Sequence, residues 1–131
     1  MDKYAKITIN NGCLQPELFS GQTVDGLVNF DFNAIELGSC VVFSVGGAGH
    51  MIKKVIGLSG DAWEVSDGFL IIGDYKRLLS ERHRPLLDGY NEVVPTNCLL
   101  VCSNESPDRF VVILHLDNIT HHIPLSEVPK V

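Results

Sequence analysis

The chain has 131 residues, 45% of them hydrophobic and 20% charged, and a formal net charge of −6. That length and apolar content suit one domain with a core of its own. An acidic balance without a basic run gives nucleic-acid binding no electrostatic support, and no apolar stretch approaches the length of a membrane-spanning helix.

In chain order, residues 4–10 alternate and predict a strand with Ala5, Ile7 and Ile9 on one face. The start lacks the apolar core of a secretory signal. Asn10-Asn11-Gly12 is a turn signal, and Pro16 lets a short helical turn begin but none run through it. Residues 23–32 alternate around Val24, Leu27, Val28 and Phe30, a strand with an irregularity at Gly26. A link over 34–38 leads to the β-branched run Ser39–Val45, a strand, and then to the loop Gly46-Gly47-Ala48-Gly49. Met51–Val65 reads as strand, turn at Gly57–Asp61, and strand. Ser66-Asp67-Gly68 is a tight-turn signal, and Phe69–Ile72 returns as a strand. Residues 75–92 are charged and irregular, an insertion expected to be mobile or to face substrate. Val93-Val94-Pro95 leads into a strand at Leu99–Val101; Ser103–Asp108 is a polar turn, Phe110–Leu114 a strand, and His122–Leu125 the start of a short terminal segment. The expected fold is mostly β with little helix: a single domain, 1–131, built as a folded antiparallel sheet or barrel-like assembly.

Cysteines lie at 13, 40, 98 and 102 without a C-x-x-C pair. On one strand Cys98 and Cys102 would be too far apart to bridge each other. Cys40, Cys98 and Cys102 are expected to be small buried hydrophobes. The five histidines show no metal-ligand spacing, and His121-His122 reads as an exposed strand end. Neither a metal nor a cofactor is expected.

Lys53 and Lys54 interrupt the apolar run that begins at Met51. Neighbours on a strand point to opposite faces, so one lysine should face solvent and the other the inside of the sheet. Desolvation disfavours the charged form of an amine, which is one way to make a lysine usable as a general base near neutral pH. The plainer reading is a hairpin with two solvated lysines.

Four segments then fall in order: Gly12–Pro16, Gly38–Phe43, Ile52–Asp61, and Val94-Pro95 with Leu99–Val101 and Asn104–Phe110. They resemble the four boxes of the type I signal peptidase family, which includes the conjugative-transfer signal peptidases. The third is the most specific. Ile52-Lys53-Lys54-Val55-Ile56-Gly57-Leu58-Ser59-Gly60-Asp61 departs from the family's KRVIGLPGD by lysine for arginine and serine for proline. The resemblance covers about residues 11–115. It implies a signal-peptidase-like fold and hydrolysis of a peptide bond in a precursor protein, by a serine nucleophile with a lysine general base. Carried over, the nucleophile falls on Cys13 and the base on Lys53, so a thiol stands where the family has a hydroxyl. Lys54 takes the place of the arginine and should point outward.

The same resemblance gives Ser106 the role of orienting the lysine amine and Asp108 that of supporting the site through a salt bridge. Arg109 is one position displaced from the family's arginine, and Cys102-Ser103 replace the glycine and aspartate before Asn104. Asn11, two residues before Cys13, would offer its amide to the oxyanion, or would only serve the turn before Gly12. Leu14 and Ile52, with Val41 and Phe43, are candidate walls of a pocket for small substrate side chains, and equally good core residues. The partner implied is a precursor protein or peptide. The family's setting implies the extracytoplasmic face of a membrane, reached through a segment outside this chain.

A thiol needs less activation than a hydroxyl, and a thiolate–ammonium pair is chemically reasonable. Yet a larger sulfur in a pocket shaped for oxygen can be misplaced. The rival expectation is a catalytically inactive domain on the same scaffold that binds a peptide or partner protein. A LexA-like self-cleaving domain shares the serine–lysine logic, but no DNA-binding segment precedes Cys13 and its fit to the third box is poorer.

Overall fold

The structure is a computed structural model that describes residues 3–8, 23–44, 50–78, 89, 91–102 and 112–127. Its strands are β1 (Tyr4–Thr8), β2 (Thr23–Leu27), β3 (Cys40–Ser44), β4 (His50–Gly57), β5 (Ala62–Ser66), β6 (Phe69–Ile72), β7 (Tyr75–Leu78), β8 (Asn91–Val93), β9 (Cys98–Cys102), β10 (Val112–His115) and β11 (Ile119–Ile123). Helical geometry among the described residues is confined to short 3-10 turns at Phe32–Ala34, Leu116–Asn118 and Leu125–Glu127.

The strands form two antiparallel sheets. One is seven-stranded in the order β1-β2-β11-β3-β4-β9-β10, the other four-stranded in the order β7-β6-β5-β8. Neither order closes on itself among the described residues. The mostly-β, antiparallel expectation holds; the barrel-like alternative becomes two open sheets packed on each other.

Local chemistry explains most boundaries. In β5, Trp63 and Val65 are buried while Ala62, Glu64 and Ser66 are exposed, the alternation of a strand with one wet face. The turn into β6 places Asp67 at φ 53 and Gly68 at φ 81. Positive φ at both central residues is the type I′ geometry that matches strand twist. All five residues of β9 are buried, as a continuous apolar run at the centre of a sheet requires.

Three expectations change. The strand predicted over 23–32 stops at Leu27, because the Asp31 carboxylate accepts from the Asn33 N–H at 3.0 Å and starts a 3-10 turn. The insertion predicted over 75–92 begins and ends as strand: Gly73 at φ 55 reverses the chain, and β7 pairs with β6 from Tyr75 to Leu78. Its charge did not preclude pairing, because Lys76 stands on the outer face with Nζ 4.5 Å from the centroid of the Phe69 ring. Finally, Ile119–Ile123 is an interior strand between β2 and β3, not a terminal segment.

The large sheet is apolar on both faces. One face gathers Val41, Phe43, Val55, Leu99, Val101, Leu114 and Ile119 beneath Ile35. The other carries Val24, Cys40, Val42, Ile52 and Ile123 at one end. At its other end Ile56, Leu100 and Cys102 meet Trp63, Val65, Leu70 and Ile72 of the small sheet. Cys40, Cys98 and Cys102 are buried in these clusters, as expected of small hydrophobes.

Candidate functional site

The segment Ile52–Asp61 divides into two halves with different physics. Its second half joins the sheets: β4 lies in the large sheet and β5 in the small one, so the plainer reading of a hairpin with two solvated lysines does not hold. A register shift between Val55 and Gly57 lets Ile56 and Gly57 both address the small sheet. A Cβ on Gly57 would overlap Ile72 Cδ1 and lie 3.1 Å from Leu100 Cβ, so only glycine admits this approach. Gly60 takes φ 90 in the turn that follows. Asp61 Oδ2 accepts from the Leu58 N–H at 2.8 Å. Ser59 Oγ donates to the Cys98 carbonyl at 2.8 Å and accepts from the Cys98 N–H at 3.2 Å. Gly57, Ser59, Gly60 and Asp61 are thus accounted for by architecture.

The first half holds the lysines. β4 pairs with β3 on one side, Val41 opposite Lys53 and Cys40 opposite Lys54, and with β9 on the other, Cys102 opposite Lys54. Lys53 is 1% exposed, among the largest fully buried side chains of the chain. It shares its face with Val41, Phe43, Met51 and Val55. Lys54 points to the opposite face, where it is half-buried rather than turned out to solvent as expected, because the small sheet stands over that face. There it lines a cleft of about 500 Å³ with Leu37, Asp61, Ile72, Asp74 and Tyr75. The Tyr75 hydroxyl lies 3.8 Å from Cys102 Sγ at the edge of this cleft.

Of the other candidate residues, Cys13, Leu14, Asn11, Ser106 and Asp108, with Asn104 and Arg109, lie outside the described residues. Ile52 is described and belongs to the core with Val24, Cys40, Val42 and Ile123. Being adjacent to Lys53 on a strand, it faces away from the Lys53 amine and lines no pocket in common with it. Val41 and Phe43 do share the lysine face, and both are buried.

A feature the sequence reading misplaced is His122. It is 4% exposed rather than a strand end in solvent, and Ser39 is fully buried beside it. The His122 Nε2 lies 3.0 Å from Ser39 Oγ, and that hydroxyl donates to the Glu36 carbonyl at 2.6 Å. Because the hydroxyl's one proton is committed to Glu36, Nε2 carries the proton of the His122–Ser39 bond. The pair therefore has the spacing of a nucleophile and its base, but the proton lies the wrong way round for activating Ser39. Burial pushes the His122 pKa below its ordinary 6.5, and the Glu36 carboxylate opposes that shift. The only signal in the sequence was a polar pair inside an otherwise apolar segment.

Among the described residues no group of three or more His, Cys, Asp or Glu side chains could hold a metal ion, and no helix is long and apolar enough to cross a membrane. No protein-family model matches the chain, and no curated protein matches it.

Proposed function

We propose that the chain is a peptidase of the signal peptidase type, which cuts a precursor protein with Cys13 as nucleophile and Lys53 as general base. The observation that carries this reading is the burial of Lys53. Among Val41, Phe43, Met51 and Val55, packing alone would be met by a methionine of similar length. A lysine in such a place costs desolvation that an apolar residue avoids. Positions that break a local packing rule are where functional groups are found. The likeness of Ile52–Asp61 to the family's third box supports the same reading.

In this mechanism Lys53 takes the Cys13 proton and the sulfur attacks the scissile carbonyl carbon. The tetrahedral intermediate, held by the Cys13 N–H and the Asn11 amide, collapses as the C–N bond breaks. The leaving amine takes the proton from Lys53. Water then attacks the thioester, giving its proton to Lys53; the C–S bond breaks, the acid leaves and the thiol is restored. Ser106 orients the amine, and Asp108 supports the site through a salt bridge. The chemistry needs neither metal nor redox cofactor.

The test is alkylation of Cys13 by iodoacetamide, mapped by mass spectrometry across pH, in the wild type and in Lys53→Met. The expected result is Cys13 reaction at neutral pH about tenfold faster in the wild type than in the variant. Cleavage of precursor peptides with small residues before the cut should be lost in Lys53→Met and in Cys13→Ala. An ordinary thiol profile unchanged in Lys53→Met overturns the dyad. The thiol at position 13 favours a second reading, a peptide-holding domain without activity. Peptide binding that survives both substitutions, with no cleavage by the wild type, selects it.

A further inference from the structure

We propose that His122 is an acid-operated latch: protonating it opens the seam between β11 and β3 and releases the β1–β2 pair from the rest of the large sheet. This goes beyond the peptidase reading and does not depend on it.

The topology makes β11 the joint. Among the described residues, β1 and β2 hydrogen-bond to the rest of the sheet only through β11; beyond that pairing, Val24 of β2 and Ile7 of β1 pack on Cys40, Val42 and Ile52. His122 sits at that joint, opposite Leu27 of β2 and opposite Val41 of β3. The turn before β3 grips the end of β11 at two points. Ser39 Oγ holds the imidazole, and Glu36 Oε1 accepts from the Leu125 N–H at 3.0 Å. The register of the β11–β3 seam shifts between Ile119 and His121, and on its other side β11 meets β2 at one register pair, His122 opposite Leu27.

The neutral ring fits this place. Its Nε2–H is satisfied by Ser39, and the second proton would go to Nδ1. Charging it puts a cation between Leu27 and Val41. The ionisable groups facing it do little to offset this. Glu36 attracts the cation. Lys53 lies on the same face across Val41, two strand spacings or roughly 10 Å away. On β2, Asp25 shares the face but is engaged by Lys6 at 2.9 Å, with Glu127 beyond. No ionisable side chain of β3 points to this face, and His121 points to the other.

The direction of the effect follows from burial. An opened seam lets His122 bind a proton at its ordinary value of 6.5, while the closed seam resists it. The closed form is therefore favoured in full above that value, loses ground as pH falls below it, and stops losing ground once the buried ring is itself charged.

Hydrogen exchange on the full chain, read by mass spectrometry at about pH 7.5 and about pH 5 and corrected for intrinsic rates, tests this. Peptides covering β1, β2 and β11 should lose protection at the lower pH. The loss should be up to about tenfold for each unit by which the closed-seam pKa lies below the open one. Peptides covering β5, β6 and β9 should not change. In His122→Gln an uncharged amide replaces Nε2–H toward Ser39, and the pH dependence should vanish. A loss spread evenly over both sheets, no loss at all, or the same loss in His122→Gln overturns the proposal. Should the variant fold poorly, the ring nitrogen shifts of wild-type His122 decide. Titration below 6.5 supports the latch, and titration at or above 6.5 overturns it.

Discussion

At the scale of single residues, the segment Ile52–Asp61 shows how one stretch serves two purposes. Gly57 is fixed by contact: a methyl there would press into Ile72 and Leu100. Gly57→Ala should therefore destabilise the protein by about 1–3 kcal/mol, measured as a shift in the urea midpoint. Ser59→Ala removes a donor and an acceptor shared with the Cys98 backbone. It should cost about 1–2 kcal/mol in the same experiment. Neither argument extends to Lys53, whose amine no apolar neighbour demands. Ile52 is the opposite case: its place in the box invited a substrate role, and its place in the core explains it without one. Likeness to a motif does not separate these cases; the direction each side chain takes from the strand does.

At the scale of elements, the Asp67-Gly68 hairpin was the easiest feature to read and the interior strand β11 the hardest. The turn at Gly57–Asp61 was misread as a hairpin, because β4 and β5 belong to different sheets. Asp67-Gly68 lies between two alternating runs, and its geometry is local, so the sequence specifies it completely. Gly68→Ala forces a Cβ into φ 81 and should lower stability by about 1 kcal/mol, seen as a reduced thermal midpoint with unchanged far-UV circular dichroism. By contrast, Ile-Thr-His-His-Ile looks like surface. It is tolerated inside the sheet because its polar atoms find partners remote in sequence. The Thr120 hydroxyl donates to the Val42 carbonyl at 3.1 Å, and His122 bonds to Ser39. Both partners lie more than seventy residues away in the chain, at separations of 78 and 83. No window on β11 alone contains that information.

At the scale of the molecule, the two sheets share one core cluster, so they should melt together. The single tryptophan, Trp63, lies in that cluster. Its fluorescence and the far-UV circular dichroism should give coincident urea transitions at neutral pH. Leu70→Ala empties a fully buried position in the same cluster and should cost about 2–5 kcal/mol while leaving the two transitions coincident. Separate transitions would mean that the cluster does not couple the sheets.

The sequence by itself determined the β class, the antiparallel hairpin at Asp67-Gly68, the burial of the three described cysteines and the placing of Lys53 and Lys54 on opposite faces of one strand. All of these follow from period-two alternation, apolar runs and turn chemistry, which are local. It also supplied the motif that makes Lys53 a candidate base. Tertiary structure alone decided that the assembly is two open sheets, that charged residues 75–78 form an edge strand, and that His122 is interior. It also decided that both faces of the sheet that carries Ile52 and Lys53 are apolar. These depend on which strands become neighbours, and that is set by contacts between residues far apart in the chain. Polar side chains can be buried only where such a contact brings a partner, so their burial is the last thing a sequence discloses.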